Sequence, residues 1–302
     1  MAIARVEAFL ASIHNKDMDT IKTLIASELD YLRKEYTVKD TPNSHGIYEG
    51  LASFKKTVTE YRKAIFSAYP DNEKELRELF NLSKLELNNF QSQNESAKYR
   101  FADKNKQMTI NNPDKMLNKA IDLLSNRSYV DNILGLALLT GRRVNEIALS
   151  NFELVDGIDI PDRYNHFNLT DLDFVYIDNL SKKERYDSDR ETDTSAVIAV
   201  LSDSQIIINA IKELRQKKTF IDSKDFHNKA SKELSLRCKK HFSEFLIGDK
   251  PQVKYMRSIY VRVLFDYFAD MPESYYASFT KEVLIQNAPE NYAKIAPIVF
   301  EK

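Results

Sequence analysis

The chain has 302 residues, of which 43% are apolar and 29% charged, with only six Gly and eight Pro; this is the composition of a helix-rich globular protein with room for two ordinary cores. A lone cysteine, Cys238, excludes an intrachain disulfide, and no Cys/His grouping has metal-ligand spacing. Arg5 and Glu7 interrupt the apolar positions of the first helix, and no run approaches the ~20 apolar residues of a membrane span, so a soluble, cytoplasmic protein is expected.

In chain order, Ile3, Val6, Leu10 and Ile13, then Leu51, Phe54, Val58, Tyr61 and Ile65, follow the three-and-four spacing of helices that bury one face. Thr41 to Gly46 is a turn-rich connection between them. The polar run Asn89 to Gln107 lacks apolar periodicity and predicts a linker or surface loop, which places a boundary between a helical unit at 1–104 and a second domain at 105–302. Asn112 as a cap, Pro113 at the first helical position and Asp114 in the first turn predict a new helix start. A helix over Tyr129 to Leu139 leads into Thr140-Gly141. The β-branched and aromatic stretches Phe174 to Ile177 and Ala196 to Leu201 predict one hairpin with a long polar tip, and helices resume from Ser204 with a break at Gly248 to Pro251.

The net charge of -1 is low for a nucleic-acid binder, since backbone affinity comes from Lys and Arg displacing counterions. Its distribution is uneven. Between Lys212 and Arg262 there are 14 Lys and Arg against 6 Asp and Glu, a local excess of +8 that suits a surface following phosphates.

Three short segments carry chemistry. Thr140-Gly141-Arg142-Arg143, followed by Glu146-Ile147, ends an apolar helix with two guanidiniums; a planar two-pronged donor suits the nonbridging oxygens of a phosphoryl transfer. Lys254 and Arg257, three apart on a predicted helix, share one face and suit one phosphate. Lys182 and Lys183 lie on the hairpin tip, where an ammonium can protonate a leaving oxygen. Each alone is an ordinary basic helix or tip; their order gives them weight.

In that order the segments resemble the catalytic domain of the tyrosine recombinases, and the doubled arginine with lysine before the second arginine resembles the telomere resolvases (protelomerases) in particular. The resemblance spans about 105–302, with Tyr61-Arg62-Lys63-Ala64-Ile65 similar to that family's helical lead-in. It implies a mainly α fold with a small antiparallel β-hairpin or sheet, a tyrosine recombinase-like catalytic domain preceded by a helical, core-binding-like DNA-binding domain. It implies Arg143, Lys182, Lys254, Arg257 and Tyr292 as catalytic residues, with Lys183 the alternative to Lys182, and Arg142, Lys183, Gln286 and Arg262 as DNA-binding residues.

In the family a Leu-Gly-His-like turn precedes the nucleophilic tyrosine by about ten residues; here Gln286 stands at the histidine and Tyr292 follows by six, with Tyr275 and Tyr276 as other candidates. The implied reaction is DNA breaking and rejoining through a 3′-phosphotyrosyl link, without metal, nucleotide or other cofactor, giving hairpin DNA ends. The implied partner is double-stranded DNA with palindromic or paired sites, bound by a homodimer, on plasmid- or phage-associated nucleoid DNA of a prokaryote. Strand exchange between duplexes by a recombinase or integrase, and a catalytically silent DNA-binding relative, are the alternatives that the same boxes leave open.

Overall fold

A computed structural model describes residues 2–43, 47–102, 107–156, 159–178, 195–269, 271–285 and 292–298. The chain forms two compact units, Met1–Tyr99 and Arg100–Lys302. Among the described residues no helix is long and apolar enough to cross a membrane.

The first unit is helical: α1 (Ala2–Ile13), α2 (Met18–Glu35), α3 (Leu51–Ala68), the short α4 (Glu73–Arg77) and α5 (Lys84–Ala102). The expected apolar positions of α3 are all buried, together with Val6, Phe9 and Ile13 of α1 and Ile21, Ile25, Leu29 and Leu32 of α2. Asp17 caps α2 by accepting from the Thr20 amide at 2.9 Å. Ser83 and Glu86 cap α5 reciprocally: the Ser83 amide donates to the Glu86 carboxylate at 2.8 Å and the Glu86 amide to Ser83 Oγ at 3.1 Å.

The polar run from Asn89 is helix as far as Ala102, and the part of it where a linker is still expected, 103–106, lies outside the described residues. Gln, Glu, Lys, Ala and Arg propagate a helix well even where the apolar period is weak.

In the second unit α7 (Tyr129–Thr140) is the centre. Every residue from Val130 to Thr140 is buried, as expected of a helix that is apolar on all sides. It packs against α6 (Pro113–Leu124), α8 (Val144–Leu149), α10 (Ser204–Lys217), α11 (Ser223–Phe242) and α12 (Tyr255–Tyr267). Gly135 permits the close approach of α6, because a Cβ there would press on the Ala120 carbonyl oxygen at 2.5 Å. The α6 start is displaced from expectation in one detail: Asn112 is left-handed at φ 53 and its side chain donates to Asn111 at 3.2 Å, so it does not cap.

The hairpin forms as expected, with β3 (Asp173–Ile177) pairing antiparallel to β4 (Ala196–Val200) in the register Val175 opposite Ile198. A third strand, β2 (Phe152–Leu154), extends it in the order β2-β3-β4, and a separate pair joins β1 (Thr109–Ile110) to β5 (Leu246–Ile247). Both faces of the hairpin are covered. Val175, Ile177, Ile198 and Val200 face the α7 core, while Phe174, Val197 and Ala199 face a second cluster with α9 (Asp162–His166), α12 and α13 (Tyr276–Leu284).

The outer edge of β4 is pinned. Val197 O accepts from Arg163 at 2.9 Å and from Tyr164 at 3.0 Å, Ala199 O accepts from the Tyr260 hydroxyl at 2.6 Å, and the Leu201 amide donates to Leu139 O of α7 at 2.8 Å. These bonds satisfy edge carbonyls and tie the hairpin to α7 and α12.

Acid stability of the first unit follows from Glu86. Burial pushes its carboxyl up, but the Arg33 guanidinium and the Ser83 donors outweigh this and hold it below the usual glutamate value. A depressed folded pKa gives stability that is complete above the unfolded value and disappears as pH falls through the folded one. Denaturant titrations should show this unit weakening below about pH 4, and Glu86→Gln should flatten that loss while lowering stability at pH 7.

Candidate active site

The site is built from the turn that ends α7. Gly141 is left-handed at φ 63 and its amide donates to Ala137 O at 3.1 Å, the usual way to stop a helix. A second constraint acts on the same residue: a Cβ here would fall inside the ring of Tyr260 on α12. Tyr260, three residues after Arg257, thus packs the second basic segment flat against the first.

Immediately after this turn, Arg143 is the N-cap of α8 in extended geometry, φ -65 and ψ 144. Its amide donates to Glu146 Oε2 at 3.0 Å and its Nη1 to Glu146 Oε1 at 2.8 Å. Glu146 is buried, so one carboxylate both caps the helix and aims the half-exposed guanidinium. The far end of α8 is held by Arg215, whose Nη2 donates to Ile147 O at 2.7 Å and Ser150 O at 2.9 Å.

Arg257 and Arg142 complete a cationic cluster. Arg257 is 5% exposed, and its Nη2 donates to Leu284 O, at the end of α13, at 3.2 Å. Arg142 is 2% exposed, with a long 3.5 Å contact from Nη2 to Val283 O. Arg142 Nε and Arg257 Nε and Nη1 are buried with no hydrogen-bond partner among the described residues. Burial, and then the charge of Arg142, brings the Arg257 guanidinium down to about 10, with Arg143 acting in the same direction and Tyr292 and Glu146 opposing it. It remains a cation at neutral pH. Buried donors without acceptors cost free energy, and three of them around one site form a place prepared for an anion.

Tyr292 belongs to this cluster: the Arg257 Cζ lies 5.5 Å from its ring centroid. The chain after it is tied down by backbone bonds to residues before β1, with the Met108 amide donating to Lys294 O and the Ala296 amide to Met108 O, both at 2.8 Å. Gln107 Nε2 adds a bond to Ala293 O at 2.8 Å. On the other side, α13 ends at Ile285, which is left-handed at φ 53. That is an uncommon conformation for a β-branched residue and falls where a Leu-Gly-His-like turn has its glycine.

Of the remaining expected residues, Lys254 is the exposed N-cap of α12 with helical backbone angles and its ammonium 5.2 Å from the Tyr255 ring. Lys182, Lys183 and Gln286 lie outside the described residues. Tyr275 is exposed, and Tyr276 is buried with Arg262 Cζ 4.1 Å from its ring.

The DNA contact expected of Arg262 is corrected. It is 1% exposed, and its guanidinium is held between the carboxylates of Asp266 and of Glu273, the latter at 2.8 and 2.9 Å, and so is turned into the fold and not toward a phosphate. Position in the basic stretch misled, because a buried ion pair looks like a surface charge in sequence. Glu146 and Tyr260 were not anticipated as parts of the site, though both carried signals: Glu146 stands three residues after Arg143, the spacing of a capping box, and Tyr260 three after Arg257. Among the described residues no group of His, Cys, Asp and Glu is arranged to hold a metal ion.

Comparison with known proteins gives the family and the fold. Residues 107–291, more than half of the chain, match the family model of the telomere resolvase ResT/TelK catalytic domain. The chain belongs to the telomere resolvase family. Its fold is similar to that of protelomerase TelA covalently complexed with substrate DNA, at 17% identity and a TM-score of 0.77, covering 98% of this chain and 88% of that one. A protelomerase TelA mutant complexed with DNA hairpin product gives the same values. Protelomerase TelK complexed with substrate DNA is similar over 99% of this chain and 64% of that one, at 16% identity and a TM-score of 0.51. No curated protein matches by sequence. The fold is accordingly mainly helical with small antiparallel sheets, of the tyrosine recombinase-like kind.

The packing of Gly141 gives a direct test. Gly141→Ala combines a left-handed backbone with a collision against Tyr260, so it should destabilise the second unit by about 2 kcal/mol or more in urea unfolding. Measured in a Tyr260→Leu background, Gly141→Ala should cost less than it does in the wild type, because the collision is absent there and only the backbone contribution remains.

Proposed function

We propose that this telomere resolvase breaks and rejoins DNA to make closed hairpin ends, with Tyr292 as nucleophile. The observation that carries this reading is the convergence of Arg142, Arg143 and Arg257, rich in unpartnered donors, on the side of Tyr292. The Tyr292 hydroxyl attacks a backbone phosphorus, the bond from phosphorus to the 5′-oxygen breaks, and a 3′-phosphotyrosyl link forms. Arg143 and Arg257, with Lys254, stabilise the charge on the nonbridging oxygens, and Lys182 or Lys183 gives the leaving 5′-oxygen its proton. In the second half, a 5′-hydroxyl of the opposite strand attacks the same phosphorus and tyrosine leaves. That closes the end of the duplex without an energy source, because the ester bond energy is stored in the intermediate.

A dimer on a palindromic site supplies one nucleophile for each strand. The solved structures of protelomerase TelA complexed with substrate DNA and with hairpin product support this reading. We place the reaction in a prokaryotic cytoplasm, on a plasmid- or phage-associated element, with 1–104 acting as a further DNA-binding domain. In the second unit, Lys224, Lys232, Lys239 and Lys240 are exposed along α11, while Asp225 and Glu233 are engaged by Lys229 and Arg237. This leaves the helix a net basic surface for the phosphate backbone.

Two measurements follow. A duplex carrying the target palindrome and a nick beside the scissile phosphate should trap a covalent protein-DNA adduct; Tyr292→Phe should abolish the adduct and leave DNA affinity within about threefold. An adduct that survives Tyr292→Phe contradicts the assignment of the nucleophile, and bound DNA that never forms one points to a silent relative. If α11 follows the backbone, replacing Lys232 and Lys239 by Ala should reduce the slope of log affinity against log salt by roughly two, at about 0.9 per lost phosphate contact.

A further inference from the structure

Two arginines in the second unit are equally deep and differently treated. Arg262, 1% exposed, is surrounded by the Asp266 and Glu273 carboxylates. Arg142, 2% exposed, has only the long contact to Val283 O, and its Nε donor has no partner among the described residues. Burying a guanidinium without a carboxylate is costly, and proteins otherwise avoid it. The arrangement beside it makes matters worse, since Arg257 is buried too and the two guanidiniums reach consecutive carbonyls, Val283 O and Leu284 O, at the end of α13. Glu146, the carboxylate of this neighbourhood, is already bonded to Arg143 through both oxygens. Arg142 belongs to the cluster but has no part in the individual transfer steps proposed above.

We propose that Arg142 is a positioning residue whose uncompensated buried charge, set beside Arg257, builds an unfilled anion requirement into the phosphate site and is stabilised only when a backbone phosphate arrives. The inference rests on the proposed reading of this cluster as the site of the scissile phosphate. Before DNA binds, α13's carbonyl end offers the two cations a partial negative charge, and the unpaired Nε groups hold the remaining cost. A phosphate supplies the missing acceptors and the missing charge together. The free energy released on binding is then available for holding the pentacoordinate state, which carries more charge on its oxygens than the ground state does.

Such a residue has a signature that a core strut does not have: removing its charge stabilises the unliganded protein while weakening the site. Arg142→Met keeps length and apolar volume and removes the charge and the unpaired donors. Without ligand, its melting temperature should rise by about 2–4 °C. Calorimetric titration with inorganic phosphate at low salt should show binding weaker by about tenfold or more, the loss expected of a cation nearby in a medium of intermediate dielectric. Adduct formation with the nicked palindromic duplex should slow in parallel. Arg142→Lys, which keeps the charge, should retain phosphate affinity within about threefold without the rise in melting temperature. An Arg142→Met protein that melts lower than wild type or fails to fold, or that binds inorganic phosphate as wild type does, overturns the proposal. Wild-type protein that binds phosphate in an Arg142-dependent way yet forms no adduct leaves this inference standing and removes the cleavage reading instead.

Discussion

Arg142 and Arg257 hold like charges side by side where little water reaches them, with no carboxylate bonded to either among the described residues. Such a pair is unfavourable in a folded chain, since each guanidinium loses hydration and gains a repulsive neighbour. The rest of the second unit can be understood as what makes the pair tolerable. The carbonyl end of α13 accepts one bond from each, Glu146 pairs with the third arginine's guanidinium through Oε1 and with its backbone amide through Oε2, and the apolar contacts of α7 and α12 supply the stability against which the strain is set. Function and stability pull in opposite directions here, as they often do where a binding site must be ready before its ligand arrives.

Tyr260 is the mechanical link in this arrangement. Its ring fills the space that a side chain at Gly141 would need, and its hydroxyl closes an edge carbonyl of β4, so a single side chain sets the turn of the first arginine segment, the helix of the second and the strand that follows the hairpin tip. Arg215 fixes α8 from its other end. The tyrosine that completes the site arrives on a segment held by backbone bonds to Met108 and by Gln107. Residues nearly two hundred positions apart thereby meet through hydrogen bonds that carry no side-chain pattern of their own.

Long-range backbone bonds of this kind leave no trace in a sequence, whereas periodic burial does. In the first unit α1 and α3, and in the second α7 and the hairpin, were legible, because burial on one face or on all faces leaves a period that can be counted. The order of Arg143, the hairpin and Arg257 was legible for a different reason, since phosphoryl chemistry restricts which side chains serve. Strands of two or three residues, such as β1, β2 and β5, are too short to show a period. The polar stretch after Asn89 is helical without an apolar period that could be counted in the sequence. The depth of Arg142 and Arg262 was hidden altogether: both read as solvent-facing charges, and only tertiary context separates the one paired with Asp266 and Glu273 from the one left without a carboxylate.

The role proposed for the unpartnered arginine donors is to hold a phosphate. Side-chain NMR of the arginine Nε–H groups tests this most directly, with Arg142→Met and Arg257→Met spectra to assign the two signals. On addition of inorganic phosphate, and more strongly of a nicked duplex, the Arg257 Nε–H resonance should move in the direction of stronger hydrogen bonding and exchange more slowly with solvent, and that of Arg142 should move with it. If both resonances stay where they are while phosphate or DNA binds, the anion sits elsewhere and the buried arginine pair has another purpose.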